Sequence, residues 1–258
     1  MRHQNKPSSV RHPWELARLE VILDIFKKNT KNTEDIIILD IGCGDTFFVE
    51  KFSEYFPSVN FIAIDTAFDE ETIRSYTKRL EGKRIKVFDS LDHAIPAIDK
   101  KVSAVFLFDV VEHIEDDLSF LTNLSKQPNI SADTLIYITV PAFQSLFTSH
   151  DVFLGHYRRY TNSSLKKVIH QSGFDTTEEG YFFFSLLPPR ILQLLKEKIT
   201  GRPDNPTTDV VEWRGGKFIT GIIKFILFAD YKIISVFKKA GISVFGLSNY
   251  AICKKSAL

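Results

Sequence analysis

One stretch constrains this chain more than any other: Ile36-Ile37-Ile38-Leu39-Asp40-Ile41-Gly42-Cys43-Gly44-Asp45-Thr46-Phe47. Apolar β-formers run into an acid, two glycines follow, and an apolar helical run extends from Phe47 to Phe56. A continuous apolar strand closed by a turn signal reads as a strand buried on both faces, as in a parallel sheet covered by helices. Gly42 and Gly44 let the chain turn sharply and leave bare backbone for a ligand to lie against. The helix that follows presents unpaired N–H groups and a positive dipole end at the same place. Strand, turn and helix together make a site for a nucleotide-type cofactor. The next β-run, Val59 to Ile64, ends in Asp65, about twenty residues past the turn, where a βαβ unit places the carboxylate that receives ribose hydroxyls.

The rest of the chain repeats this rhythm. Pro13 to Phe26 reads as a helix with Trp14, Ala17, Val21 and Ile25 on one face, expected beside the first strand. Asp69 to Leu80 is a polar helix, and Ile85 to Phe88 a third strand that delivers Asp89 and Ser90. Val102 to Phe108 is a fourth, delivering Asp109-Val110-Val111-Glu112-His113 ahead of a helix whose first turn holds Glu115, Asp116 and Asp117. Leu135 to Val140 is a fifth strand, stopped by Pro141. Thr161 caps a helix with Leu165, Val168 and Ile169 inward; Tyr181 to Leu187 is expected as the sixth strand and Tyr250 to Cys253 as the seventh. Strands alternating with helices at this spacing define an α/β chain with a doubly wound, parallel sheet.

Composition narrows the function classes. A formal net charge of +1 leaves no electrostatic footprint for nucleic acid, and none is expected as a partner. Cys43 and Cys253 stand at opposite ends of the chain and imply no disulfide framework. Met1 to Arg11 reads as a polar tail without an apolar targeting core, so the cytoplasm is the expected location. No feature specifies an oligomeric state.

Residues 188–247 exceed what a minimal sheet needs between strands six and seven. Ile191, Leu194, Leu195 and Ile199 fall on one helical stripe. A loop from Gly201 to Thr208 separates it from Trp213 to Phe237, which is rich in Phe and Ile but interrupted by Lys224, Asp230 and Lys232, and is therefore not a spanning helix. Arg190 to Lys239 holds ten Lys/Arg against five Asp/Glu. The first reading is a helical cap or dimer interface; the second is a peripheral membrane surface or a seat for a lipid-linked substrate. The expected division is thus a core over 1–187, an insert over 188–247, and the last strand with its tail over 248–258.

The chain resembles class I S-adenosylmethionine-dependent methyltransferases. The resemblance rests on Leu39-Asp40-Ile41-Gly42-Cys43-Gly44, Asp65, Phe88-Asp89-Ser90 and Asp109-Val110-Val111-Glu112-His113, and covers about Trp14 to Phe184 plus the last strand. It implies a Rossmann-like, mainly parallel seven-stranded sheet with an antiparallel last strand, a helical insert between strands six and seven, and S-adenosyl-L-methionine as cofactor. It further implies that Asp40 and the Gly42-Cys43-Gly44 backbone hold the methionine moiety. Asp65, followed by Thr66, takes the ribose, Asp89 with Ser90 meets the adenine, and Asp109 and Val110 line the methionine end. Thr46 stands where the family usually carries a third glycine. The Gly155-His156-Tyr157-Arg158-Arg159-Tyr160 block and the ending Phe245-Gly246-Leu247-Ser248 resemble bacterial members associated with polysaccharide or lipid-linked glycan synthesis.

A hydroxyl acceptor gains from a general base. His150, read as standing in a loop after the fifth strand, and His113, after the fourth, are the candidates, with His150 expected nearer the acceptor. His156, Tyr157, Arg158 and Arg159 concentrate donors suited to a phosphate or carboxylate on the acceptor. The expected reaction is O-methylation of a sugar, lipid-linked or small natural-product acceptor. One alternative uses Asp109, Glu112 and His113, with His150 as a fourth ligand, as a metal site; they resemble the E-x-x-E-H motif of metal-dependent O-methyltransferases. The other is a non-catalytic cofactor-binding module that works through its insert.

Overall fold

Unbroken runs of Ile, Val and Phe become strands here, and polar or amphipathic runs between them become helices. In chain order the elements are α1 (Pro13–Asn29), β1 (Ile37–Ile41), α2 (Phe47–Tyr55), β2 (Asn60–Ile64), α3 (Glu70–Arg79), β3 (Ile85–Phe88), α4 (Leu91–Ala94), β4 (Ala104–Phe108), α5 (Asp117–Ser125), β5 (Leu135–Pro141), α6 (Ser149–Leu154), α7 (Asn162–Gln171), β6 (Phe174–Phe182), α8 (Leu187–Thr200), α9 (Lys217–Lys239) and β7 (Ser248–Lys255). The computed structural model describes residues 11–31, 33–201, 213 and 215–256. Most of the expected polar tail and of the Gly201 to Thr208 loop therefore lie outside the described residues.

The chain divides into two compact units. The sheet unit comprises the described residues of 30–140, 162–179 and 250–258; the helical unit comprises those of 1–29, 141–161 and 180–249. The strands form one seven-stranded sheet in the order β3-β2-β1-β4-β5-β7-β6. The pairs β3–β2, β2–β1, β1–β4 and β4–β5 are all parallel. At the other end, Ser256 N–H donates to Gly173 O (2.9 Å) and the Thr177 hydroxyl to Ile252 O (3.0 Å), so β7 runs against β6. This is the mainly parallel, Rossmann-like sheet with an antiparallel last strand.

The sheet core is aromatic. Phe52 meets Phe106 edge-on at 5.3 Å, and Phe106 in turn meets Tyr137 at 5.6 Å. β1 and β4 are buried at every position, as strands covered on both faces must be. Helix α3 buries no residue, and Asp69 caps it by accepting from Thr72 N at 2.8 Å, in keeping with its polar sequence.

In the helical unit, α1 packs along α9, whose Leu227, Tyr231 and Ile234 are buried. Asp24 of α1 accepts from Tyr231 Oη at 2.7 Å and pairs with Lys28 and Lys232, and Glu20 pairs with Lys224 at 3.2 Å. Gly246 is required by close approach: a Cβ there would stand 2.1 Å from Phe182 O.

Two expectations differ from the structure. The sixth strand starts at Phe174 and ends at Phe182, so Phe184 to Leu186 is a 3-10 turn and Leu187 opens α8. That strand is an edge of the sheet, and its Asp, Thr and Glu residues hide it from a search for apolar runs. Helix α5 begins only at Asp117; Asp116 is its cap, accepting from Ser119 N at 2.9 Å, and Glu115 precedes it. Of the α8 stripe, Ile191, Leu195 and Ile199 are exposed.

Candidate functional site

Parallel register brings the carboxyl ends of β1 to β4 to one edge of the sheet: Ile41 pairs with Ile64, Ile64 with Phe88, and Asp40 with Phe106. The residues that follow these strands are Gly42, Asp65, Asp89 and Asp109, on the edge where open α/β sheets bind ligands. Gly42 N–H and Cys43 N–H both donate to Ile64 O, at 2.7 and 3.1 Å, which ties the turn to β2. Gly44 N–H donates to Asp65 Oδ2 at 2.8 Å, and Ala67 N–H to Asp65 Oδ1 at 3.0 Å. The second acid is thereby fixed beside the turn by two main-chain donors.

The two glycines do different work. Gly42 has φ +78°, and a Cβ there would lie 2.6 Å from Val110 Cγ2. Gly44 has φ +61°, and among the described residues a Cβ there would meet nothing within 4 Å. A close-packed glycine beside an open one, with a buried acid hydrogen-bonded to the second, fits an adenosyl cofactor lying across the turn.

Thr46 replaces a glycine and keeps a glycine conformation, φ +65°, which is strained for a β-branched residue. Its side chain does not enter the turn as a spare hydroxyl. Thr46 Oγ1 donates to Glu50 Oε1 at 2.9 Å and accepts from the Arg79 guanidinium, which also reaches Asp45 O at 3.1 Å. Arg79 is thus a residue the sequence reading missed. Its signal is weak, because it lies 33 positions from Thr46 on a polar helix.

Asp40 is buried within β1, and Thr66 is exposed directly after Asp65. Asp89 hydrogen-bonds His93 Nδ1 at 2.6 Å and the Ser90 hydroxyl at 3.2 Å, and the His93 bond foremost holds its carboxyl below the usual carboxylate range. Ser90 also caps α4. Asp109 takes φ +56°, its N–H donates to Thr139 O at 2.9 Å, and Thr139 Oγ1 donates to its Oδ1 at 3.1 Å. Cys43 is buried, and burial first, then the charges of Asp40 and Asp65, push its thiol far above the ordinary range.

The second group of candidates is divided between the units. Glu112 and His113 lie in a 3-10 turn of the sheet unit, Glu112 fully buried and His113 N–H donating to Val110 O at 2.9 Å. Among the described residues, Asp109 joins no set of three potential metal ligands. His150 lies in the helical unit, and not on a loop: it is the second residue of α6. Thr148 and Asp151 form a capping box there, with Thr148 N–H donating to Asp151 Oδ2 at 2.9 Å. Burial holds the His150 imidazole below its ordinary pKa, against the opposing pull of Asp151.

Asp151 is the hub of this region, and the sequence reading used it only as a neighbour. Its Oδ1 accepts from Arg159 Nε at 2.8 Å and meets His156 Nδ1 at 2.9 Å, and its Oδ2 accepts from an Arg190 terminal nitrogen at 3.2 Å. Burial alone would raise its pKa, but the His156 bond and the Arg159 charge hold it below the usual range. Glu197 of α8 adds a clamp, accepting from Ser149 N at 2.9 Å and Ser149 Oγ at 2.7 Å. Of the four acceptor-side candidates, Arg159 and His156 therefore direct donors inward to Asp151. Arg159 is buried, with a second bond to Ala142 O at 3.1 Å, so it braces the fold at Asp151. Tyr157 stays exposed, with the Arg158 guanidinium 5.9 Å from its ring centre.

A family model described as a methyltransferase domain matches residues 14–179, more than half of the chain. Among curated proteins none matches the sequence. A S-adenosylmethionine-dependent methyltransferase from Archaeoglobus fulgidus is similar in structure at 20% identity, with 94% of this chain and 93% of that one covered and a TM-score of 0.50. A putative sarcosine dimethylglycine methyltransferase from Galdieria sulphuraria is similar at 12% identity, with 94% and 84% covered and a TM-score of 0.53. The plantazolicin methyltransferase, solved with S-adenosylhomocysteine and a substrate analogue, is similar at 14% identity, with 95% and 86% covered and a TM-score of 0.54. At these identities the likeness establishes the fold. The chain belongs to the methyltransferase-domain family, as a class I S-adenosylmethionine-dependent enzyme.

Proposed function

We propose that this methyltransferase acts on a hydroxyl of a sugar, lipid-linked or small natural-product acceptor, with His150 as the general base. S-adenosylmethionine is the cofactor, and when bound it supplies an activated methyl group. Asp65 holds its ribose, Asp89 and Ser90 its adenine, and Asp40, the Gly42 to Gly44 backbone, Asp109 and Val110 its methionine end. These assignments are supported by the alignment of the four strand ends and by the open backbone at Gly44.

The observation that carries the base is the setting of His150. Its imidazole is half-buried and favours the neutral form, which can accept a proton at physiological pH. It stands on a turn that cannot drift, because the capping box, the Asp151 cluster and the Glu197 clamp fix the backbone on both sides. Methyl transfer from labelled S-adenosylmethionine tests this. His150→Ala should lower turnover about a hundredfold or more while S-adenosylhomocysteine binds as before. Undiminished turnover in that variant, with an acceptor confirmed, would remove His150 from the chemistry. Loss of turnover on chelation, restored by a divalent ion, would instead favour the metal reading.

A further inference from the structure

Helix α9 is apolar on two opposite faces, and among the described residues only one of them packs along another long helix. Thr220, Leu227, Tyr231 and Ile234 lie on the buried side, the side that packs along α1. About half a turn away around the helix come Phe218, Ile222, Phe225, Ile233 and Val236, all exposed: Phe218 by 81%, Phe225 by 69% and Val236 by 67%. With 23 residues the helix is about 35 Å long, so this is a stripe and not an isolated contact. Helix α8 repeats the pattern with Leu192, Leu195 and Ile199, the last exposed by 85%. Both helices pack on the Phe184–Leu186 turn, where Phe184 is itself half exposed.

Charge says what covers the stripe. Helices α8 and α9 contain two acids, Glu197 and Asp230, and both are turned inward: Glu197 onto Ser149, and Asp230 onto Ser185 N at 2.6 Å and Ser185 Oγ at 2.7 Å. The lysines are disposed differently. Lys196, Lys198, Lys217 and Lys239 are exposed at the ends of the two helices. An apolar stripe edged by cations, with its acids withdrawn, complements an anionic lipid surface. A second copy of the same face would set lysine against lysine. No helix among the described residues is long and apolar enough to cross a membrane, so the complementary mode is to lie in the interface.

We infer that the α8–α9 region is a membrane-docking surface, which seats the apolar stripe of α9 in an anionic bilayer with its flanking lysines on the headgroups. The inference concerns location and stands apart from the acceptor reading. The test is co-sedimentation of the full chain with phosphatidylcholine vesicles, with and without phosphatidylglycerol, at low and high salt. Binding should require phosphatidylglycerol and weaken as salt rises, because screening removes the headgroup attraction. Phe218→Ser with Phe225→Ser should lower partition about tenfold or more. Lys217→Glu with Lys239→Glu should lower it at least about fivefold per site and flatten the salt dependence. These side chains are on the surface, so far-UV circular dichroism and S-adenosylhomocysteine affinity should match wild type in both variants. Equal binding to both vesicle types, or to neither, would overturn the inference. A dimer in solution that Phe225→Ser dissociates, without vesicle binding, would overturn it in favour of a second copy of the chain.

Discussion

Two buried carboxylates, one in each unit, are held in opposite ways. Asp65 is fixed by main-chain N–H groups of Gly44 and Ala67, within or beside its own βαβ unit. Asp151 is fixed by side chains that reach it from Arg159, His156 and Arg190, the last 39 positions away. Backbone amides at the turn orient one carboxylate; two guanidinium groups and an imidazole gather around the other. The first arrangement suits a binding residue and the second a keystone of the fold. The difference teaches that burial of an acid does not by itself mark a functional site; the identity of its donors does.

The largest expected effect lies on the keystone. Asp151→Asn leaves Arg159 and Arg190 buried beside a neutral amide, and unfolding free energy measured by denaturant titration should fall by about 3–5 kcal/mol. A loss below about 1 kcal/mol would erase the contrast with Asp65. Next comes the binding residue: Asp65→Ala should weaken S-adenosylhomocysteine, followed by calorimetry, by about 1.5–3 kcal/mol. Unchanged affinity would move the ribose elsewhere, and no binding by wild type would refute the cofactor site. Gly42→Ala pushes a methyl against Val110 at a left-handed backbone position, and should cost about 1–3 kcal/mol of stability, of which Val110→Ala restores the steric part.

The smallest effect is on pH. His150 has a lowered folded-state pKa, so it stabilises the native state fully above the ordinary histidine value and loses that contribution as pH falls below about 6.5. Asp151 is likewise lowered, so its contribution is present at neutral pH and is lost only as pH falls through the carboxylate range. Melting temperature against pH should therefore drop in two stages, and His150→Gln should shrink the earlier one, to which His12, also lowered by burial, contributes as well. An earlier stage of unchanged size in His150→Gln would show that His150 contributes nothing to it.

The same contrast explains what could be read from the sequence. The strand–turn–helix from Ile37 to Tyr55, the acid at Asp65 and the strands ending before Asp89 and Asp109 are local: each is written in a short run of residues and its period. The Asp151 cluster is not, because nothing in a one-dimensional pattern aligns Arg190 with Thr148 and Asp151. Some of the miss was avoidable. Thr148-x-x-Asp151 is a helix-start signature, and it would have placed His150 on a helix instead of a loop. The start of β6 was not avoidable from apolar runs, since an edge strand with Asp, Thr and Glu looks like surface chain.

The buried thiol of Cys43 has a practical corollary. Cys43 sits in the turn after β1 and Cys253 within β7, both shielded and neither in a disulfide. A protonated, enclosed thiol neither alkylates nor oxidises at the pace of a free one. A maleimide or Ellman reagent mixed with the native enzyme must then wait for the chain around each sulfur to open. The two cysteines are in effect a pair of built-in clocks, one at the glycine turn and one near the carboxyl terminus, whose labelling rates time the breathing of the sheet without any engineered probe.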